Sequence, residues 1–440
     1  MTQISFLGAA SEIGRSCFLI EGKQNILLDC GVKLKSKDEE FPQLDHHQIR
    51  KLDRVALSHA HMDHSGYLPA LYAHGFRGKV TLTKPTRDLI QILLADYLSL
   101  NTVNPPYNHR NVDQLLKNTE LLEFGQQDST KTLSFKPAGH ILGAAITEFS
   151  DKKKVIYTGD INTRESRLVE GADISNLEGE VLIIESTYGA KTDQHPSSKD
   201  SANAFVDSVH RTLKQGGSVI VPTFATGRGQ EVLFILENYM RSGQLEKVPI
   251  FIDGMVKKML KVYRHNAFYL KDEIKKRILT SDDDPFKSPF YELPKTKDRS
   301  DVTEAGKCII VTTSGMLNGG PVIGYLERMG KEKKNKLIFT GYQAEGTPGR
   351  ALLDGSGTLN VDDRKIELGL QIEQAKLSGH SDHRELLQIV RAVKGLETVF
   401  IVHGEGSKLT DLKSGIEQQA EKDKKELEVI IPKIGETHEI

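Results

Sequence analysis

The sequence predicts an α/β fold with a separate, doubly wound α/β unit in the middle of the chain. Three observations carry that reading. With 440 residues the chain is longer than one core of ordinary size, so two domains are expected. Before about residue 190, one apolar run after another stops on a histidine or an acid, the mark of a sheet whose rim is a binding surface. From about 190 to 360 apolar runs alternate with amphipathic stretches, strand then helix, as a parallel sheet wound on both faces requires.

Short strands come first, at 4–7, 16–20 and 25–29, separated by Gly8, Gly14 and Gly22. Asp29 ends the third. A carboxylate there either caps the strand end or orients a ligand histidine. Residues 32–53 are polar and read as loop. Val55-Ala56-Leu57 is a buried strand, and a helical pattern restarts at 67–72. A strand at 79–83 and a helix at 86–100 come next; Pro105 and Pro106 break the pattern before a short helix at 112–118. Strands at 131–136, 155–160 and from 181 run out into His140, Asp160 and Glu185.

The middle unit begins with a helix at 197–214 and a strand at 217–222. Gly227-Arg228-Gly229 opens a helix to about 241, and a strand at 249–253 leads into another. Strands at 308–312 and 336–340 flank one more helix. Residues 280–300, rich in Asp, Lys, Ser and Pro, read as a long mobile excursion. Past 360 histidines return in Ser378-Gly379-His380-Ser381-Asp382-His383, with a helix at 384–393 and a strand ending on His403 behind them. A helix at 407–424 and a strand at 427–432 close the chain, which has no internal repeat. The expected divisions are therefore 1–189, 190–360 and 361–440.

Chemistry concentrates in Ser58-His59-Ala60-His61-Met62-Asp63-His64, directly behind the strand at 55–57. His59 and His61 lie two apart and can face one way. Asp63 and His64 can diverge toward a second point. That is a layout for two metal ions held close together, with imidazole suited to zinc and carboxylate able to complete a shell or bridge. A polar turn with surface histidines is the alternative. No Cys-x-x-Cys pair exists to make a zinc finger.

Bulk properties narrow the setting. The formal net charge is -1, so any polyanion groove must be a local patch. Cys17, Cys30 and Cys308 are far apart and odd in number, which fits reduced thiols in a core rather than a disulfide framework. The N-terminus starts as a strand without a basic or apolar leader, and no run is long enough to span a bilayer. A soluble, cytoplasmic protein without a membrane partner is expected.

The separated pieces together resemble the β-CASP branch of the metallo-β-lactamase superfamily, nearly end to end. The supporting stretches are the histidine cluster, Gly8-Ala9-Ala10-Ser11-Glu12-Ile13-Gly14-Arg15-Ser16, Phe224-Ala225-Thr226-Gly227-Arg228-Gly229-Gln230-Glu231, Ser314-Gly315-Met316 and Gly341-Tyr342-Gln343-Ala344-Glu345-Gly346-Thr347. The resemblance is strongest to the group of the endonuclease subunit of the eukaryotic cleavage and polyadenylation machinery and its bacterial and archaeal relatives. It implies a four-layered αββα metallo-β-lactamase sandwich interrupted by a β-CASP domain. It also implies two zinc ions: His59, His61 and His140 on one, Asp63, His64 and His403 on the other, Asp160 bridging, and Asp29 in support. Glu185 and His380 would match the branch's first two accessory motifs. His403 would match the third, where RNA-directed members tend to carry His and DNA-directed members Val.

The activity implied by the resemblance is that of a ribonuclease of RNA processing or decay, endo- or 5′-exonucleolytic, with hydroxide attacking phosphorus at a two-zinc site. Catalytic roles would fall to Asp63, Glu185 and His380, with His380 as the proton donor and Glu185 holding its tautomer. Single-stranded RNA would lie between the two domains, with Arg228, Arg350 and the lysines at 257–264 as candidate phosphate contacts. Those lysines read equally well as a solvated helix face. A homodimer is compatible with the sequence. The rival readings are a DNA nuclease of the same family, a small-molecule metallohydrolase such as a thioesterase or lactonase, and a non-catalytic scaffold.

Overall fold

The computed structural model describes residues 2–34, 39–100, 104–281, 283–361 and 364–440. Small parts of the predicted loop at 32–53 and of the 280–300 stretch lie outside these residues. By contact the chain divides into two units. One takes Met1–Glu165, Glu170–Gln194 and His380–Ile440; the other takes Ser166–Val169 and His195–Gly379.

The first unit holds a seven-stranded and a six-stranded sheet. Their inner faces meet in one core. Phe6 packs on Phe400 and Phe18 on Tyr157, with ring centroids 4.8 and 5.4 Å apart. The alternate residues are buried too: Leu19, Leu27 and Val55 in one sheet, Leu182, Ile184, Val399 and Ile401 in the other. Each sheet is therefore covered on both sides, the outer sides by helices such as Lys84–Leu98 and Ser407–Lys422. The result is the four-layered αββα sandwich.

Strand direction decides where the site can be. In the larger sheet, Ile26–Leu28, Arg54–Ala56 and Lys79–Leu82 run parallel. In the smaller, Lys154–Tyr157, Val181–Glu185 and Thr398–Val402 run parallel. Leu133–Pro137 pairs antiparallel with Ala145–Ser150, which pairs antiparallel with Lys154–Tyr157, so it shares their direction. All these strands therefore deliver the residues just past their ends to a common rim.

The second unit is built on a six-stranded, wholly parallel sheet. Its order is Tyr291–Glu292, Ile250–Ile252, Ile309–Thr312, Val219–Pro222, Lys336–Phe339, Gln371–Gln374. The central strands are continuous apolar runs because both faces are buried. The sequence boundary at 360 falls inside this unit. Gln371–Gln374 is polar and reads poorly as a strand, but it needs only an edge position, beside Lys336–Phe339.

The sequence reading omits the short strands Thr119–Leu121, Thr358–Val361, Arg364–Glu367 and Thr437–Glu439, and three further stretches differ from it for a clear reason. Residues 46–51 form a helix rather than loop: Asp45 accepts the N–H groups of His47 and Gln48, and the Gln48 side chain returns to the Asp45 N–H. Only Ile49 of that helix is buried, so it has no apolar period to read. Ala145–Ser150 is a buried strand that the sequence reading passed over. The 280–300 stretch is no free excursion. It supplies the edge strand Tyr291–Glu292, and Asp283 and Asp284 are tied to Arg277 and Arg264.

Asp128 links the two sheets. Its carboxylate accepts from Arg54 of the larger sheet at 2.6 Å and from the Leu133 N–H, which starts the smaller, at 2.8 Å. Burial raises its pKa, but the Thr130 hydroxyl, the Arg54 guanidinium and the Leu133 N–H together outweigh that and hold it at about 2, below the ordinary carboxylate value. The stabilisation is therefore complete above about pH 4 and is lost as pH falls toward 2. Asp128→Asn should cost about 2 kcal/mol at neutral pH. Urea melts of both proteins from pH 7 to pH 2.5 should show that difference shrinking with acid; a constant difference would mean the carboxylate charge is immaterial.

Candidate metal centre

The rim gathers the residues singled out in the sequence. His59 and His61 follow Arg54–Ala56, and Asp63 and His64 lie on the short helix Met62–Ser65. His140 follows Leu133–Pro137, Asp160 follows Lys154–Tyr157, and His403 follows Thr398–Val402. Glu185 is the last residue of Val181–Glu185. The turns are tight. A Cβ on Gly31 would lie 1.8 Å from the Asp63 carbonyl oxygen, so only glycine lets that backbone pass behind the ligand turn.

Asp29 holds this arrangement from beneath. It is fully buried and sits at φ +57°, a costly conformation for a side-chain-bearing residue, held here by its contacts. One oxygen accepts the Ser58 N–H at 2.7 Å. The other accepts from the Ser58 hydroxyl at 2.6 Å, the Tyr157 hydroxyl at 2.7 Å and His64 Nδ1 at 2.7 Å. Asp29 thus accepts the Ser58 N–H at the strand end and also bonds the candidate ligand His64, contacts that serve both roles left open by the sequence. Bonded through Nδ1–H, His64 presents Nε2 as a lone pair. His59 does likewise, with Nδ1 held by Ser58 Oγ at 3.0 Å.

The ligand atoms then converge in two groups. Those of His59, His61, His140 and Asp160 lie within 4.8 Å of one another, as do those of Asp63, His64 and His403. His61 Nδ1 is 3.2 Å from His59 Nε2 and 3.1 Å from His140 Nε2, and Asp160 Oδ2 is 3.5 and 3.6 Å from His59 and His140 Nε2. On the other side Asp160 Oδ1 is 3.3 Å from His64 Nε2, and Asp63 Oδ2 is 3.3 Å from His403 Nε2. A metal with bonds of about 2.1 Å at tetrahedral angles spaces its ligand atoms about 3.4 Å apart. The donor set and its spacing fit a metal on each side of Asp160. Asp160 Oδ1 is buried with no hydrogen-bond partner among the described residues, which a cation would supply. Burial, reinforced by His64, pushes the His59 pKa well down, whereas for His64 and His403 the Asp160 and Asp63 carboxylates outweigh burial and raise it. Despite burial, the surrounding histidines hold Asp160 well below the usual carboxylate range.

Glu185 also comes within ligand distance of Asp160 and His403, but its oxygens are engaged. They accept the Ile161 N–H at 2.7 Å, the Thr187 N–H at 3.3 Å and His380 Nδ1 at 2.9 Å. The His380 ring packs 4.5 Å from that of His140, which brings it beside the cluster. Burial disfavours its charged form, yet the Glu185 and Asp160 carboxylates prevail and raise its pKa. Arg228 and Arg350 belong to the second unit, and each pairs with an acid of its own helix, Glu231 and Asp354. The lysines at 257, 258 and 261 occupy the exposed face of Val256–His265, opposite its buried Met259, Leu260 and Tyr263.

Sequence reasoning missed Tyr157, Ser58 and Thr187 as parts of the site. Thr187 Oγ1 lies 3.2 Å from His403 Nδ1 and orients that ring as Ser58 orients His59. The available signal was position, since each sits within three residues of a ligand or of Glu185.

Comparison with known proteins gives three family models in chain order. A metallo-beta-lactamase superfamily domain matches residues 19–187, a Beta-Casp domain 229–352 and a Zn-dependent metallo-hydrolase RNA specificity domain 365–432. The chain is 35% identical to a protein named transcription termination factor FttA from Lokiarchaeum, over 98% of this chain and 71% of that protein. It is 36% identical to the FttA of Methanocaldococcus jannaschii, over 93% and 68%. It is 38% identical to an RNase J-like protein of the same organism, over 92% of this chain and 93% of that protein.

The Asp29 network predicts how metal affinity responds to its removal. Asp29→Ala should weaken metal binding about 10- to 100-fold, the usual cost of losing a group that orients ligands. Tyr157→Phe removes one of several hydrogen bonds and should cost less, about tenfold or below. Competition with a chelator of known affinity measures both; equal affinities in all three proteins would show that the network is irrelevant to the metal.

Proposed function

Because the chain belongs to the β-CASP family of the metallo-β-lactamase superfamily, we propose that it is a zinc-dependent ribonuclease that hydrolyses RNA phosphodiester bonds. The observation that carries this is Asp160, whose two buried carboxylate oxygens face two separate ligand groups. His59, His61 and His140 would hold one zinc, and Asp63, His64 and His403 the other. When bound, such a pair supplies a water acidified toward neutral pH and positive charge against the phosphate oxygens. The match to an RNA specificity domain over 365–432, which contains His380 and His403, supports RNA as the substrate class. So does the relative whose name is RNase J-like.

The chain's own groups account for the rest of the reaction. His380 donates a proton to the leaving 3′-oxygen as the P–O3′ bond breaks and the water oxygen bonds to phosphorus. The products are a 5′-phosphate and a 3′-hydroxyl. Glu185 accepts from Nδ1, so Nε2 is the nitrogen that gives up the proton. The Arg350 pair with Asp354 is exposed and weak, so Arg350 can exchange it for phosphate, whereas Arg228 is held by Glu231 in an enclosed pair and is a poorer candidate. A cytoplasmic setting agrees with three buried, unbridged cysteines, and no described helix is long and apolar enough to cross a membrane.

End-labelled RNA and DNA, each with free or blocked 5′ ends, test the reading. RNA should be cleaved and DNA spared, with about two zinc ions per chain by elemental analysis. His380→Ala should retain its metal while the rate falls about 10²–10⁴-fold. Cleavage of DNA in preference would favour the DNA nuclease, and hydrolysis of thioesters or lactones alone would sink the nuclease reading. RNA binding by an inactive variant should also weaken steeply with salt through counterion release.

A further inference from the structure

His380 precedes the helix His383–Ala392 and lies in neither helix nor strand. Its ring is fixed by Glu185, but its backbone must be fixed by something else. The segment just past Asp160 does this. The Ile161 N–H donates to Glu185 at 2.7 Å, and its carbonyl accepts the Ser381 N–H at 2.7 Å. The Thr163 N–H donates to Ser381 Oγ at 3.1 Å. Arg164 completes the seam. Its Nε is 2.9 Å from Glu385 Oε1, and its Nη2 donates to the His380 carbonyl at 3.4 Å. Glu385 Oε2 in turn accepts the Asp382 N–H at 2.9 Å, and Asp382 caps the helix through the Glu385 N–H.

We infer that Arg164 is a positioning residue, which sets the place of His380 relative to Asp160 through a guanidinium shared between the His380 carbonyl and Glu385. The inference rests on the ribonuclease reading and extends it to a group outside the proposed ligand set. Three residues separate Arg164 from Asp160, so the seam couples the candidate bridging ligand to the proposed proton donor by a short, hydrogen-bonded stretch of chain. The ion pair is largely enclosed, with 20% of the Arg164 and 8% of the Glu385 side chain exposed, so salt screens it little. A planar fork can serve a carbonyl and a carboxylate at once, which an ammonium does less well.

The test uses the full chain loaded with zinc and compares Arg164→Met, which keeps the stem and loses the fork, with Arg164→Lys and Glu385→Gln. On ordinary RNA, Arg164→Met should lower kcat about 10²-fold, the scale set by an ångström of misplacement, with KM and metal content unchanged. Arg164→Lys should recover part of that loss, and Glu385→Gln, which can still accept the Asp382 N–H, should lose less. On a substrate whose leaving 3′-oxygen is replaced by sulfur, little proton donation is needed, so the deficit of Arg164→Met should largely disappear. An equal deficit on both substrates, a fall in metal content or an unchanged kcat would overturn the inference.

A second readout is independent of catalysis. In protein carrying ¹⁵N-histidine, the hydrogen-bonded Nδ1–H of His380, assigned by its loss in His380→Gln, should shift or broaden in Arg164→Met. If that signal does not move, Arg164 does not position His380, whatever the enzyme cleaves. If wild-type protein cleaves no RNA while the signal moves, the ribonuclease reading fails and the positioning role stands.

Discussion

The ligand-bearing turn behind Arg54–Ala56 depends on one buried carboxylate. Asp29 takes a backbone N–H and a hydroxyl from Ser58, a hydroxyl from Tyr157 and a ring N–H from His64. Ser58 and His64 belong to the loop of the larger sheet and Tyr157 to a strand of the smaller. A charge removed from water survives only if its lone pairs are satisfied, and here the satisfaction requires both sheets in register. The same bonds choose ring tautomers, so the fold and the donor chemistry are set by one group.

Topology does the remainder. A sandwich with parallel strands in both sheets sends several strand ends to one rim, and the residues just past those ends face each other across the core. Rigid strands hold their bases, and short turns give the side chains their direction. The two flanking networks differ in kind. One, around Asp29, orients candidate metal ligands; the other, around Glu185 and Arg164, holds His380. They meet at Asp160, which contributes its side chain to the first and the backbone after it to the second.

Much of this was legible in the sequence because it is local. His59, His61, Asp63 and His64 fall within six residues behind an apolar run, and spacing alone suggests two points of convergence. His140, Asp160 and His403 were visible as strand ends, but their grouping came from family resemblance, since no spacing relates residues 60 and 403. Tyr157 and Arg164 were not legible. A tyrosine inside a strand looks like core, and an arginine in a turn looks like surface, until the chain is folded and their partners at 29 and 385 arrive. The helix 46–51 was hidden for a different reason: capping rather than burial specifies it.

The first unit is discontinuous, and that has a consequence for the protein as it is made. Its larger sheet pairs Gln3–Gly8 with Thr437–Glu439, and its smaller sheet needs Thr398–Val402 beside Val181–Glu185. A chain emerging from the ribosome presents His59 through Asp160 early and His403 only after the whole second unit has been synthesised. Domains usually fold in the order of their appearance. Here the inserted unit can fold while its host still lacks a central strand. The nascent chain therefore lacks one of its candidate ligands, His403, for most of its synthesis, and the candidate site can be completed only when translation is nearly done.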